Sequence, residues 1–231
     1  MTLQDLIDSF RDEADDKQAP QLWSDSILTL YANEGQMEAV RRSRLIVDAS
    51  DPTVCTYSVA INDQKITLDP RVIMVRDVRI ASKTFPLKRV HRKDIDKVFP
   101  GWDSTVNLGD VIAFVPDKET GKVWFNSPFP AADTVTLDVL REPLNDMRLQ
   151  VVVGTNTTTA IGPEIQKRYH FGIVNWMLHR AFGKQDSETN DPEKAKNALD
   201  AFELEFGKKL SAQDEAYRSS QYGYDDHDGS Y

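Results

Sequence analysis

Two histidines, a cluster of aspartates and a lone cysteine are the residues whose chemistry must be weighed first. His170 and His179 lie nine residues apart on one helical pattern, which turns them by about half a revolution, so they face opposite sides and cannot share a metal ion. Asp225, Asp226, His227 and Asp228 offer oxygen ligands, but no calcium loop ending in a bidentate Glu follows them. Cys55 is the single cysteine, which excludes an intrachain disulfide and a multi-cysteine metal site. Neither a glycine-rich phosphate loop, nor Gly-x-Ser-x-Gly, nor His-Glu-x-x-His occurs. A hydrolase would need carboxylates with split pKa values. Glu34 or an aspartate of the central region would then have to sit in a cleft. The residues therefore point to no cofactor, no metal site and no catalytic group.

The composition agrees with a folded chain. The 231 residues are 40 % hydrophobic and 28 % charged, enough for one large domain or two small ones with a core. No apolar run approaches the roughly twenty residues of a membrane helix. The N-terminus Met1-Thr2-Leu3-Gln4-Asp5 lacks a basic signal start, so the expected compartment is cytosol-like. A net charge of −9 repels a phosphate backbone and argues against sequence-specific DNA binding.

The elements that must position any site read as follows. Thr2 caps a first helix with Leu3, Leu6, Ile7 and Phe10 on one face, ahead of a charge run over 11–17. Trp23 precedes the capping pair Ser24-Asp25 as a hydrophobic staple. A second helix is expected over 25–47, with Ile27, Leu30, Tyr31, Met37 and Val40 apolar. Asn33 and Glu34 interrupt that stripe. Arg41, Arg42 and Arg44 give the helix a basic end that complements its dipole. Either they pack on the surface or they meet an acidic neighbouring subunit.

From Thr53 the period becomes that of strands. A hairpin is expected from 54–61 through Asn62-Asp63 to 65–68, with further strands near 72–82, 86–90, 111–115, 122–126 and 134–141. One or two helical turns are expected over 92–99. A strand is expected at 149–153, followed by a polar link over 154–159. Pro163 then opens a helix carrying Ile165, Tyr169, Ile173, Trp176 and Met177, which ends at Gly183. Asp191-Pro192 starts its partner, with Ala195, Ala198, Leu199, Phe202, Phe206 and Leu210 apolar. So short a connection favours an antiparallel helical hairpin.

The expected fold is α+β. Helices from both ends of the chain (1–48 and 154–218) close one bundle around an inserted antiparallel β-sandwich or barrel-like domain (49–153), and 219–231 form an extended tail. That tail holds Tyr222, Tyr224 and Tyr231 among acidic residues. It is either a disordered terminus or a strip that folds on binding.

Two stretches carry a resemblance. Trp23-Ser24-Asp25, Asn33-Glu34-Gly35-Gln36 and Arg41-Arg42 are similar to the start of head-to-tail adaptor proteins of tailed bacteriophages. Tyr169-His170-Phe171-Gly172, residues 176–182, Asp191-Pro192-Glu193-Lys194-Ala195 and residues 202–207 resemble that family's C-terminal half. The resemblance implies a structural virion protein of the neck, assembled in the host cytoplasm as a ring of roughly twelve copies. The portal protein would lie above the ring, a tail or nozzle protein below it, and packaged DNA would pass through it without sequence-specific binding. It further implies portal docking by Tyr222, Tyr224 and Tyr231, a subunit interface at Arg41, Arg42 and Arg44, and structural roles for Trp23, Asp25, Asn33 and Glu34. A cell-wall hydrolase using carboxylates and a module binding protein through the β insertion are the alternatives.

Overall fold

The computed structural model describes residues 1–103, 109–153, 156–185 and 189–221. The first half holds α1 (Leu3–Ala14), α2 (Asp25–Ser43), β1 (Val47–Asp48), α3 (Pro52–Cys55), β2 (Thr56–Val59), β3 (Lys65–Thr67), β4 (Val72–Ile80), β5 (Lys88–Arg89) and α4 (Arg92–Val98). Then come β6 (Ala113–Glu119), β7 (Lys122–Phe125), β8 (Asp133–Arg141), β9 (Val151–Val153), β10 (Asn156–Thr158), a 3-10 turn (Lys167–Tyr169), α5 (His170–Phe182), α6 (Pro192–Phe206) and α7 (Ala212–Gln221). The chain is α+β, with helices at both ends and a two-sheet, sandwich-like region between them. It divides into a helical unit, Met1–Ile46 with Glu142–Lys209, and a β unit, Val47–Arg141 with Leu210–Tyr231.

In the helical unit α5 is the hub. It is buried on more than one side, through His170, Gly172, Ile173, Val174, Trp176, Met177, Ala181 and Phe182, and packs against α1, α2 and α6. Thr2 and Asp5 form a reciprocal capping box on α1. Leu3, Leu6, Ile7 and Phe10 are buried as its apolar face, each contributing about 1.5–3 kcal/mol. Asp191 caps α6 by accepting from the Lys194 N–H, with Pro192 in the first turn.

Several elements differ from the sequence reading. Helix α2 stops at Ser43, because Arg44 turns left-handed (φ 52°), and Val47 begins a strand. Its buried face is Leu28, Tyr31, Ala32, Gly35, Gln36, Ala39 and Val40, while Leu30 is 55 % exposed. Small residues carry the contact because α5 lies close: a Cβ on Gly35 would sit 3.0 Å from the Trp176 Cβ. Helix α5 starts at His170 rather than Pro163, because tertiary hydrogen bonds hold the preceding segment. The Gln36 side chain accepts from the Glu164 N–H (2.7 Å), and the Glu164 carboxylate accepts from the Leu144 N–H (2.8 Å). The second hairpin helix ends at Phe206, and Gly207 takes φ +85°. Residues 219–221, expected in the tail, belong to α7.

In the β unit, β8 is the spine of one four-stranded sheet, with β4 on one side and β1 and β2 on the other. The second sheet runs β3-β7-β6-β5. Its β5–β6 pair is parallel, so the region is mixed rather than purely antiparallel. The expected 54–68 hairpin does not form. Residues 52–55 make a helical turn capped by Asp51, β2 joins β8, and β3 joins β7 in the other sheet. Phe129 explains the diversion: its carbonyl accepts from the Asn62 N–H and its own N–H donates to the Asp63 carbonyl, each at 2.8 Å. Helix α4 covers the second sheet, where Val90, Ile95, Trp102, Ala113 and Val115 form one cluster.

Entry to and exit from the β unit are tied together. Val47 pairs with Leu140 and Asp48 with Val139, and Arg141 Nε donates to the Asp48 carboxylate at 2.8 Å. Burial opposes ionisation of Asp48, but the Ser50 N–H, Arg141 and the Asp51 N–H outweigh it and hold that carboxyl far below the usual range.

Candidate functional site

The resemblance-carrying residues of α2 converge on the segments that close the helical unit. Asn33 forms a two-way clamp on Met147. Its Oδ1 accepts from the Met147 N–H at 2.7 Å, and its Nδ2 donates to the Met147 carbonyl at 3.1 Å and to the Thr29 carbonyl at 3.0 Å. Three residues on, and so on the same helical face, Gln36 holds Glu164. Together they fasten two points of the returning chain, one before and one after the β9–β10 ribbon. The partner of Asn33 is the Met147 backbone, which belongs to no helix.

Glu34 faces away from this clamp. Its Oε2 lies 3.0 Å from Arg180 Nη1 on α5, without hydrogen-bond alignment, and the same guanidinium lies over the Tyr31 ring at 5.4 Å. A carboxylate so engaged is a tie between α2 and α5. Its partner is a guanidinium.

Trp23 is buried edge-on between Phe10 (5.4 Å) and Phe182 (5.6 Å). Asp25 accepts from Arg11 Nη2 at 2.7 Å, and the same nitrogen reaches the Trp23 carbonyl at 3.0 Å. Arg11 Nη1 donates to Asp16 at 2.6 Å, and Asp16 also accepts from the Leu22 N–H. The sequence reading placed Arg11 and Asp16 in a charge run, yet both are buried. The overlooked signal is that Arg11 follows Leu3 and Ile7 at four-residue spacing, on the apolar face of α1.

The three arginines at the end of α2 have different surroundings. The Arg42 side chain is only 5 % exposed. It donates to Glu38 (3.1 Å) and the Gly207 carbonyl (3.2 Å), and stacks over Trp176 (5.5 Å) and Phe202 (5.1 Å). With Ser43, which donates to the Phe206 carbonyl at 2.8 Å, it satisfies the last carbonyls of α6. Within the subunit these contacts engage Arg42 inside the helical unit. Arg41 pairs with Glu38 at 2.9 Å and is one-third exposed. Arg44 takes the left-handed position that ends α2. Tyr222, Tyr224, Tyr231 and the Asp225-to-Asp228 cluster lie outside the described residues.

The groups with chemical potential are separately engaged. His170 Nε2 donates to the Ile165 carbonyl at 2.8 Å, while its Nδ1 is buried without a partner. Burial pushes its pKa down, in keeping with a neutral ring. His179 Nδ1 donates to the Ala195 carbonyl at 3.0 Å, joining α5 to α6. Cys55 is buried, and burial raises its thiol pKa to about 11. Among the described residues no group of three His, Cys, Asp or Glu is placed to hold a metal ion, and no helix is long and apolar enough to cross a membrane. In the β unit, a cleft of about 380 Å³ is lined by Lys83, Thr84, Phe85, Pro86, Leu87 and Ile112, with no carboxylate. A second, of about 250 Å³, contains Asp110 and Asp133; Asp110 pairs with Lys83 at 3.5 Å.

The arrangement is one of fastening: buried pairs, caps and clamps that fix the helices. Compared with known families, residues 1–223 match the model of the SU10 adaptor protein. No curated protein matches the chain at a significant level.

Proposed function

The chain belongs to the SU10 adaptor protein family, and from that membership we propose that it forms a ring beneath the portal of a tailed phage. The ring extends the DNA channel and presents its far side to the tail or nozzle protein, within the virion neck. The match over residues 1–223 carries this reading. The clamps at Asn33, Gln36 and Arg42 support it, since a ring under load needs rigid subunits whose terminal segments are locked together. A charge of −9 per copy suits a wall past which DNA slides without adhering. The same charge disfavours closure in free solution, so the portal templates the ring. Arg41 and Arg44 face an acidic neighbouring copy. Tyr222, Tyr224 and Tyr231 supply rigid aromatic anchors for the portal.

Sedimentation of the chain alone, then with purified portal rings, tests this. A monomer or small oligomer is expected alone and a ring on the portal. A chain that binds no portal at any ratio refutes the assignment, and a complete ring formed without portal refutes templating. A chain ending at Arg218 should melt like the full protein and lose portal binding, and salt should slow association if the acidic tail meets a basic strip. Full loading of the shortened chain would transfer docking to the helical unit.

A further inference from the structure

The two ends of α2 carry unlike surfaces. At its C-terminal end Arg42 donates to the Gly207 carbonyl and Ser43 to the Phe206 carbonyl, so the last turn of α6 is fastened there. The start of α5 belongs to the same end, because a Cβ on Gly172 would collide with the Phe206 ring. Lys167 and Arg168 just before α5, and Lys208 and Lys209 just after α6, are all exposed, and Arg41 adds a guanidinium that is one-third exposed. Against these cations stand the exposed Glu205 and two glutamates, Glu38 and Glu203, that Arg42 already engages. The same helix turns leave two large apolar side chains in solvent, Leu204 at 90 % exposure and Phe171 at 55 %. The corner where α1 finishes and α2 begins is acidic instead. Asp25 binds Arg11 and Asp16 binds the Leu22 N–H, which draws these segments together. Asp12, Glu13 and Asp15 are exposed on it, with Lys17 paired to Asp12, and Leu22 lies beside them half in solvent. The 19 residues of α2 hold the two surfaces about 28 Å apart.

We propose that the basic end of one copy docks on the acidic α1–α2 corner of the next, Lys208 and Lys209 facing Asp12 and Glu13, with Leu204 and Phe171 covered against Leu22. The proposal rests on the ring reading and names the acidic surface that Arg41 meets there. Two observations select a second copy as the occupant. The surfaces are complementary in charge, and each sets exposed apolar side chains among its charges, the composition of an interface with an apolar centre and a polar rim. They are also unlike and lie at opposite ends of one helix, so each junction is heterologous and leaves one spare surface of each kind, which repeats about an axis until it closes. Opposite charges at every junction offset the repulsion between copies that each carry −9.

Exchanging the charges tests the junction. Lys208→Glu with Lys209→Glu makes the basic end acidic, and Asp12→Lys with Glu13→Lys makes the corner basic. All four positions are exposed, so both free variants should melt like wild type. Each variant alone should need at least tenfold more protein than wild type to load purified portal rings, because every junction then joins like charges. An equimolar mixture of the two should load within about twofold of wild type, since alternating copies restore opposite charges at every junction. Either variant loading alone at the wild-type concentration, or a mixture no better than its parts, overturns the pairing of these surfaces and leaves the wild-type ring intact. A wild-type chain that never assembles on portal overturns the ring reading and this proposal with it.

Discussion

Replacing Asn33 with Ala removes both halves of the clamp on Met147. Met147 is 1 % exposed, so its N–H and carbonyl lose their partners with little access to water. Each buried, unsatisfied backbone group costs about 1–3 kcal/mol. Asn33 itself is only half-buried, and relaxation toward solvent recovers part of that, leaving a net loss of about 2–4 kcal/mol. For a chain of this size 1 kcal/mol shifts the midpoint by roughly 2–4 °C, so a fall of about 4–16 °C is expected. Thermal unfolding followed by far-ultraviolet circular dichroism measures it. Hydrogen exchange locates it, because the Met147 amide should lose protection while amides in the middle of α5 keep theirs. Leu30→Ala, at an exposed position of the same helix, is the control and should stay within about 0.5 kcal/mol of wild type. A fall under 2 °C for Asn33→Ala, or an unchanged Met147 amide, would refute the view that this side chain fastens the returning segment.

Arg42→Met keeps much of the packing over Trp176 and Phe202 but breaks a buried ion pair and frees the Gly207 carbonyl; a loss of about 3 kcal/mol is expected in denaturant titration, and a wild-type midpoint would show that the guanidinium contributes packing alone. Phe202, fully buried between Trp176 and Phe206, should cost about 3–5 kcal/mol as Ala, and near-normal melting would mean that the α5–α6 core is assigned to the wrong face. Since burial depresses the folded pKa of His170, the stability linked to its neutral ring is complete above the unfolded value near 6.5 and is lost as pH falls below it toward the folded value. The difference in melting temperature between wild type and His170→Phe should therefore change in the variant's favour on acidification from pH 7 to 5, and a constant difference would sink that account.

The helical pieces were legible wherever local chemistry and periodicity agreed. Thr2, Ser24 and Asp191 all cap as their types and positions suggest, and the stripe from Ala195 through Phe206 is the buried face of α6. Legibility failed where a distant partner decides. Pro163 reads as a helix start, yet the Gln36 side chain accepts from the N–H of the next residue and α5 begins only at His170. Asn62-Asp63 reads as a hairpin turn, and Phe129 converts it to a passage between sheets. Thr157 and its neighbours read as a flexible link, whereas β10 pairs back onto β9. At the candidate site, Asn33 and Glu34 were identifiable from the resemblance to known adaptors, but their partners were not. Met147 lies 114 positions from Asn33, and nothing in either neighbourhood names the other. The stacking of Arg42 on Trp176 and Phe202 was not legible either, because a basic helix end has a sufficient local explanation in the helix dipole.

The pairing of Val47 with Leu140, locked by Arg141 on Asp48, gives the central region the character of a cassette. Paired strands hold facing Cα atoms about 5 Å apart, so the helical scaffold is interrupted by what amounts to a closed loop whose two ends share one socket. A shorter loop, a different sheet or an enlarged one can be grafted at that socket if its ends arrive as neighbouring antiparallel strands.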